Sequence, residues 1–182
     1  MSWANRLTLL RVLLIPVFLL FLYLQIPNAY LYAAIVFFIA SMTDILDGYL
    51  ARRENKVTVF GKVFDPIADK LLVLAALVIL SERGMLHSLV TIFLVSREIL
   101  ISGFRIVMAE KGEVISASWL GKTKTVLQDV AIILILLRGI PVLGFLNALY
   151  LPDIAMGGAV FFTLWSMIDY FRCNLKNFTT EE

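Results

Sequence analysis

Residues 30–50, YLYAAIVFFIASMTDILDGYL, and 65–80, DPIADKLLVLAALVIL, are two long apolar runs carrying four aspartates, Asp44, Asp47, Asp65 and Asp69, at the ends that face the segment between them. A carboxylate held in hydrocarbon costs about 2.5–3.5 kcal/mol at a helix centre and less toward the interface. Four of them close together need something positive to neutralise them. At 100° per residue, Asp44, Asp47, Gly48 and Ala51 fall on one helical face within an arc of about 100°. Asp65 and Asp69 are four apart and stack on one face as well. The connection between the runs returns the chain to the same depth, so the two acidic faces are predicted to meet.

With no histidine or thiolate nearby, such a donor set is a hard-oxygen site suited to Mg²⁺ or Mn²⁺. Two divalent ions would cancel the four charges, and paired ions are the usual clamp for displacement at phosphorus. Gly48, Ala51 and Gly61 leave room for a phosphate ester to approach the backbone, and Arg52 and Arg53 bring positive charge for its oxygens. Each aspartate taken singly has a structural alternative. Asp44 and Asp47 could be interfacial caps partnered by Arg52 and Lys62. Asp65-Pro66 could be a helix N-cap with proline at the first helical position. The four together, interleaved with small residues, favour a site.

Composition sets the solvent. The chain has 182 residues, 60% hydrophobic and 16% charged, with one histidine (His87) and one cysteine (Cys173), and a mean hydropathy of +0.90. A water-soluble fold of this length has too little interior to hide so many apolar side chains. Disorder and disulfide scaffolds are excluded by the same numbers. One histidine argues against multi-histidine metal sites and Ser/His/Asp catalysis. His87 and Cys173 are expected to be bystanders.

A membrane span needs roughly twenty mostly apolar residues. Candidates are 9–24, 30–50, 65–80, 86–108, 123–137 (beginning earlier, near Trp119) and 154–171. The apolar stretch 140–151 is broken by Pro141 and Gly144 and reads as a loop or half-buried hairpin. The expectation is an all-α integral membrane protein of six transmembrane helices, one domain over 1–182. The first span has the basic start of a signal peptide, but residues 25–28 offer no clean cleavage site, so it reads as an uncleaved anchor. Arg6, Arg11, Arg52, Arg53, Lys56, Lys62, Lys111, Lys122, Lys124, Arg172 and Lys176 fall on one side of such a topology, and only Arg83 and Arg138 on the other. Both termini and the acidic cluster are therefore predicted to be cytoplasmic.

The spacing D-x2-D-G-x2-A-R-x8-G-x3-D-x3-D, from Asp44 to Asp69, resembles the motif of the CDP-alcohol phosphatidyltransferases at every defined position. The resemblance implies a six-helix cell-membrane enzyme, usually a homodimer, that joins CDP-diacylglycerol to an alcohol and releases CMP. Within the family the chain is most similar to members whose acceptor is sn-glycerol 3-phosphate. That similarity runs through Asn5 to Arg11, Ser96-Arg97-Glu98, Gly103-Phe104-Arg105, Gly121 to Thr125, and Trp165-Ser166. The family places two Mg²⁺ or Mn²⁺ ions on Asp44, Asp47, Asp65 and Asp69 and makes Asp69 the general base. Gly48 and Arg52 match positions that hold the cytidine diphosphate, and Thr58 falls where a hydroxyl contacts the nucleotide.

The acceptor would add a dianion. Arg97 and Arg105 lie within about 80° of one face of the fourth span, and Lys122 and Lys124 stand at the start of the fifth. They are expected to form the acceptor-phosphate pocket; the alternative is pairing with Glu98, Glu110 or Asp129. Asn5, Thr8 and Arg11 share a face and could bond the nucleotide head group, unless Asn5 caps the first helix. Lys70 is expected to snorkel or to pair with a carboxylate, and Asp169 to pair with Arg172. A sibling enzyme using inositol phosphate, serine or another alcohol shares the motif. A divalent-cation transporter would instead need acids near mid-membrane, usually in two repeated halves; the motif occurs once, beside arginines.

Overall fold

The computed structural model describes residues 3–24, 26–54, 59–110, 119–143 and 149–174, with only the backbone described at 3–8, 44–54, 59–69, 109, 110, 120, 171, 173 and 174. Six α-helices and no strand occur among the described residues: α1 Trp3–Tyr23, α2 Ala29–Glu54, α3 Val59–Glu82, α4 Ser88–Glu110, α5 Trp119–Arg138 and α6 Leu151–Asn174. They coincide with the six apolar runs, but α1 starts earlier, at Trp3, and α2 and α3 reach further than hydropathy predicts. Both continue through the charged motif, so each half of it lies on a helix.

These boundaries rule out two capping alternatives. Asp65 and Pro66 lie inside α3, which starts at Val59, so Asp65 does not cap it. Asn5 lies inside α1 rather than before it. His87 does serve as a cap, its Nδ1 accepting the Leu89 N–H at 3.2 Å, which fits its place just before α4. After α5, the described part of 140–151 is a turn and a short 3₁₀ segment, Pro141–Leu143, as its prolines and glycines predict.

α1 packs on α2 and α3, α2 on α5, and α5 on α6, while α4 rests on α3 and α6. Ala33, Ala34 and Ala40 are buried on α2; small residues let helix backbones approach closely. Phe18 and Phe37 meet in the core, ring centroids 5.8 Å apart. At the end of the bundle away from the motif, Arg83 donates to the Leu22 carbonyl and lies over the Tyr23 ring. Arg138 and Asp153 form an exposed pair there at 3.4 Å, of the kind worth little.

Gly139 closes α5 against Tyr30, and a Cβ at that position would come within 2.7 Å of the ring. Gly139→Ala is therefore expected to lower stability by about 1–3 kcal/mol, the usual cost of overpacking. Thermal unfolding in detergent checks this, and an unchanged midpoint would show that Tyr30 moves freely.

The outer surface is more apolar than that of a water-soluble bundle, and several polar side chains are buried beside the apolar core. Leu89, Ile92, Ile99, Leu100, Ile106 and Ile154 are exposed, whereas Arg11, Arg97, Lys124, Gln128, Thr163 and Ser166 are buried. By length and composition one helical stretch among the described residues, Leu151–Tyr170, is sufficient to cross a membrane, with shorter apolar stretches at Leu9–Tyr23 and Ala29–Thr43. α4 and α5 fall short because they carry ionisable residues within their apolar lengths, and several of these turn inward.

Candidate active site

The backbones of α2 and α3 pack together and carry Asp44, Asp47, Gly48, Ala51 and Arg52 on one and Gly61, Asp65 and Asp69 on the other. The side chains of these residues, and of Asn5 and Thr8, lie outside the described ones, as does Thr58 altogether. Among the residues whose side chains are described, no three His, Cys, Asp or Glu come together to hold a metal. Arg11, the described member of the first-helix trio, is 1% exposed. Its burial agrees with a side chain turned into the bundle.

The predicted acceptor cations divide into two kinds. Arg97 and Lys124 are 8% and 2% exposed, whereas Arg105 and Lys122 are exposed. The buried two converge on one carboxylate oxygen: Arg97 Nη1 donates to Glu98 Oε1 at 3.2 Å, and Lys124 Nζ donates to the same oxygen. Arg97 Nη2 donates across to Ser166 Oγ on α6 at 2.8 Å, and the Ser166 hydroxyl donates in turn to the Thr163 carbonyl at 3.1 Å. A charge-assisted network of this kind fixes α4, α5 and α6 relative to one another. The pairing with Glu98 foreseen as an alternative is thus present for both residues.

Around it runs a second ring of polar groups. Lys70, the residue after Asp69, donates to Ser102 Oγ, which donates in turn to the Glu98 carbonyl. Ser41 Oγ donates to Asp129 Oδ2 at 2.7 Å. Gln128 is 1% exposed, and neither atom of its amide has a hydrogen-bond partner among the described residues. Lys70, Glu98, Lys124, Gln128 and Asp129 line a cavity of about 30 Å³. Asp169 and Arg172, expected to pair, form no ion pair among the described residues.

Sequence reasoning missed Ser41, Ser102 and Gln128. A signal existed: Gln128 follows Lys124 by four and Ser102 follows Glu98 by four, so each shares a helical face with a charge.

Comparison with known proteins agrees with the motif. The chain is 42% identical to the CDP-diacylglycerol–glycerol-3-phosphate 3-phosphatidyltransferase of Bacillus subtilis, over 97% of this chain and 96% of that protein. Enzymes of the same name from Haemophilus influenzae, 42% identical over 91% of this chain and 89% of the relative, and Rickettsia bellii, 37% identical over 96% of each, are similar along nearly their whole length. The sequence model of the family described as CDP-alcohol phosphatidyltransferase matches residues 1–165. That match takes in both halves of the aspartate motif and the helices bearing the buried cations, and the chain belongs to the CDP-alcohol phosphatidyltransferase family.

Proposed function

We propose that the protein transfers the phosphatidyl group of CDP-diacylglycerol to sn-glycerol 3-phosphate, giving phosphatidylglycerophosphate and CMP. What carries this reading is an intact aspartate motif on α2 and α3 in a chain similar end to end to enzymes of that name. It is an integral membrane enzyme of six spans and works as a homodimer, its active site and both termini at the cytoplasmic face. The apolar outer surface of the bundle and the cluster of basic residues at the motif end support that placement.

Four carboxylates on two packed helices suit a pair of Mg²⁺ or Mn²⁺ ions, held by Asp44, Asp47, Asp65 and Asp69. When bound, such ions neutralise charge on the diphosphate and on the departing phosphate. The chain's own residues do the rest. Gly48, Ala51 and Gly61 admit the cytidine diphosphate to the helix backbones, and Arg52, Thr58, Asn5, Thr8 and Arg11 orient it. Asp69 takes the proton of the acceptor's primary hydroxyl as that oxygen bonds to the phosphorus bearing diacylglycerol. The bond from that phosphorus to the bridging oxygen breaks, and CMP leaves with the electron pair. Arg97 and Lys124 hold the acceptor's phosphate, while Arg105 and Lys122 draw it in from solvent.

The test is a reaction with purified protein in mixed micelles. CDP-diacylglycerol is supplied with glycerol 3-phosphate, serine and inositol phosphate in competition. CMP release matched by phosphatidylglycerophosphate is expected, with activity lost to a chelator and restored by Mg²⁺. CMP release with only one of the other alcohols would overturn the acceptor assignment. Full activity in excess chelator would overturn the metal assignment.

A further inference from the structure

Glu98 places one carboxylate oxygen where two buried cations meet, and that is also where the acceptor's phosphate has to go. Of its two oxygens, Oε1 takes both Arg97 Nη1 and Lys124 Nζ. A buried Arg and Lys cannot stand in low dielectric without a counter-charge. An incoming phosphate therefore does not simply add to the pair; it replaces an anion already there. The adjoining cavity of about 30 Å³ has room for one or two waters and not for a phosphate ester.

We propose that Glu98 is a specificity-determining residue of the acceptor site, a tethered anion on Arg97 and Lys124 that an acceptor phosphate must displace, with the Gln128 amide receiving the displaced carboxylate. The proposal rests on the reading of Arg97 and Lys124 as acceptor-phosphate residues. Glutamate has three rotatable bonds, and the cavity lies beside its carboxylate. Gln128, on the α5 face of Lys124, lines that cavity with an amide lacking a hydrogen-bond partner among the described residues. A buried amide without partners is costly unless it gains one at some step. Displacement supplies that partner. The consequence is selectivity by charge: a tethered carboxylate yields to a dianion, which two cations hold more strongly, and resists singly charged anions and neutral alcohols.

The two roles open to Glu98 predict opposite signs. If Glu98 only orients Arg97 and Lys124, Glu98→Gln loosens them and raises the KM for glycerol 3-phosphate. If Glu98 competes, Glu98→Gln lowers that KM, expected about tenfold, and sharpens inhibition by inorganic phosphate to a similar degree. Inorganic phosphate should also raise the unfolding temperature of Glu98→Gln more than that of the unaltered protein, since it replaces the negative charge that Glu98 contributed and no longer has to displace it. Gln128→Met should raise the acceptor KM in the unaltered protein and leave it unchanged in the Glu98→Gln background, where no carboxylate needs receiving. Should Glu98→Gln fail to fold, Glu98→Asp withdraws the carboxylate by one methylene and is expected to lower the KM in the same direction. A raised or unchanged KM in the folded variant overturns the proposal. Arg97→Ala separates the two ideas: if it leaves the acceptor KM unaltered, the pocket reading itself fails; if it raises that KM while Glu98→Gln does so too, the pocket stands and Glu98 is a positioning residue.

Discussion

Asp69→Asn is expected to leave the bundle folded and to reduce kcat by about a thousandfold or more, the upper part of the range for loss of a general base. Asparagine keeps the shape and one oxygen but neither the charge nor the capacity to take a proton. The loss should therefore appear mainly in turnover, with a smaller rise in the KM for CDP-diacylglycerol, because Asp69 is also one of the four carboxylates proposed to hold the metal pair. Asp69 lies on α3 one residue before Lys70, whose ammonium is anchored on Ser102 of α4. That tie, together with the packing of Leu72, Ala76 and Leu77 in the core, holds the helix whichever residue stands at 69. Single-turnover CMP release, measured beside the thermal midpoint, checks both halves. A folded variant with near-normal turnover would remove Asp69 from the chemistry.

Arg97→Ala is the second substitution with a large expected effect. It deletes a guanidinium that is 8% exposed and that spans Glu98 and Ser166 at 3.2 and 2.8 Å. In the proposed complex this guanidinium pairs with the acceptor's phosphate, and truncating one member of such a buried charge pair costs about 2–5 kcal/mol, each 1.4 kcal/mol being about tenfold in affinity. The KM for glycerol 3-phosphate is expected to rise about a hundredfold, with that for CDP-diacylglycerol little changed. Glu98 keeps Lys124 as a partner, so no carboxylate is stranded and the fold survives. Arg105→Ala, at an exposed position, should have a much smaller effect, confined to low ionic strength. Initial rates over a grid of both substrates, at two salt concentrations, separate these outcomes. Equal changes in both KM values for Arg97→Ala would place it in general packing rather than in acceptor binding.

Most of the architecture could be read from residue order. Runs of Leu, Ile, Val and Phe must satisfy their backbone groups internally, which makes helices of them, and the breaks at 140–151 fall where proline and glycine forbid continuation. Charge asymmetry marked the motif end of the bundle, and the one-dimensional spacing of Asp44, Asp47, Asp65 and Asp69 already pointed to the proposed chemistry, because a helix repeats its faces by simple arithmetic. The ends of helices were less legible: α3 begins at Val59 rather than at Asp65, since continued hydrogen bonding outweighed the local preference of Asp-Pro for a helix start.

What order along the chain could not settle is which partner each buried charge takes. Helical periodicity places Arg97 and Arg105 on related faces, yet one is buried and the other exposed. The difference depends on how α4 is rotated against α6, where Ser166 lies 69 residues away from Arg97. Lys124 likewise meets Glu98 across 26 residues. Spacing within a helix is a property of the backbone, whereas contact between helices is set by the packing of whole apolar faces. The aspartates of the proposed site could therefore be named from the letters alone, and the sharing of Glu98 between two cations emerged only once the six helices were assembled.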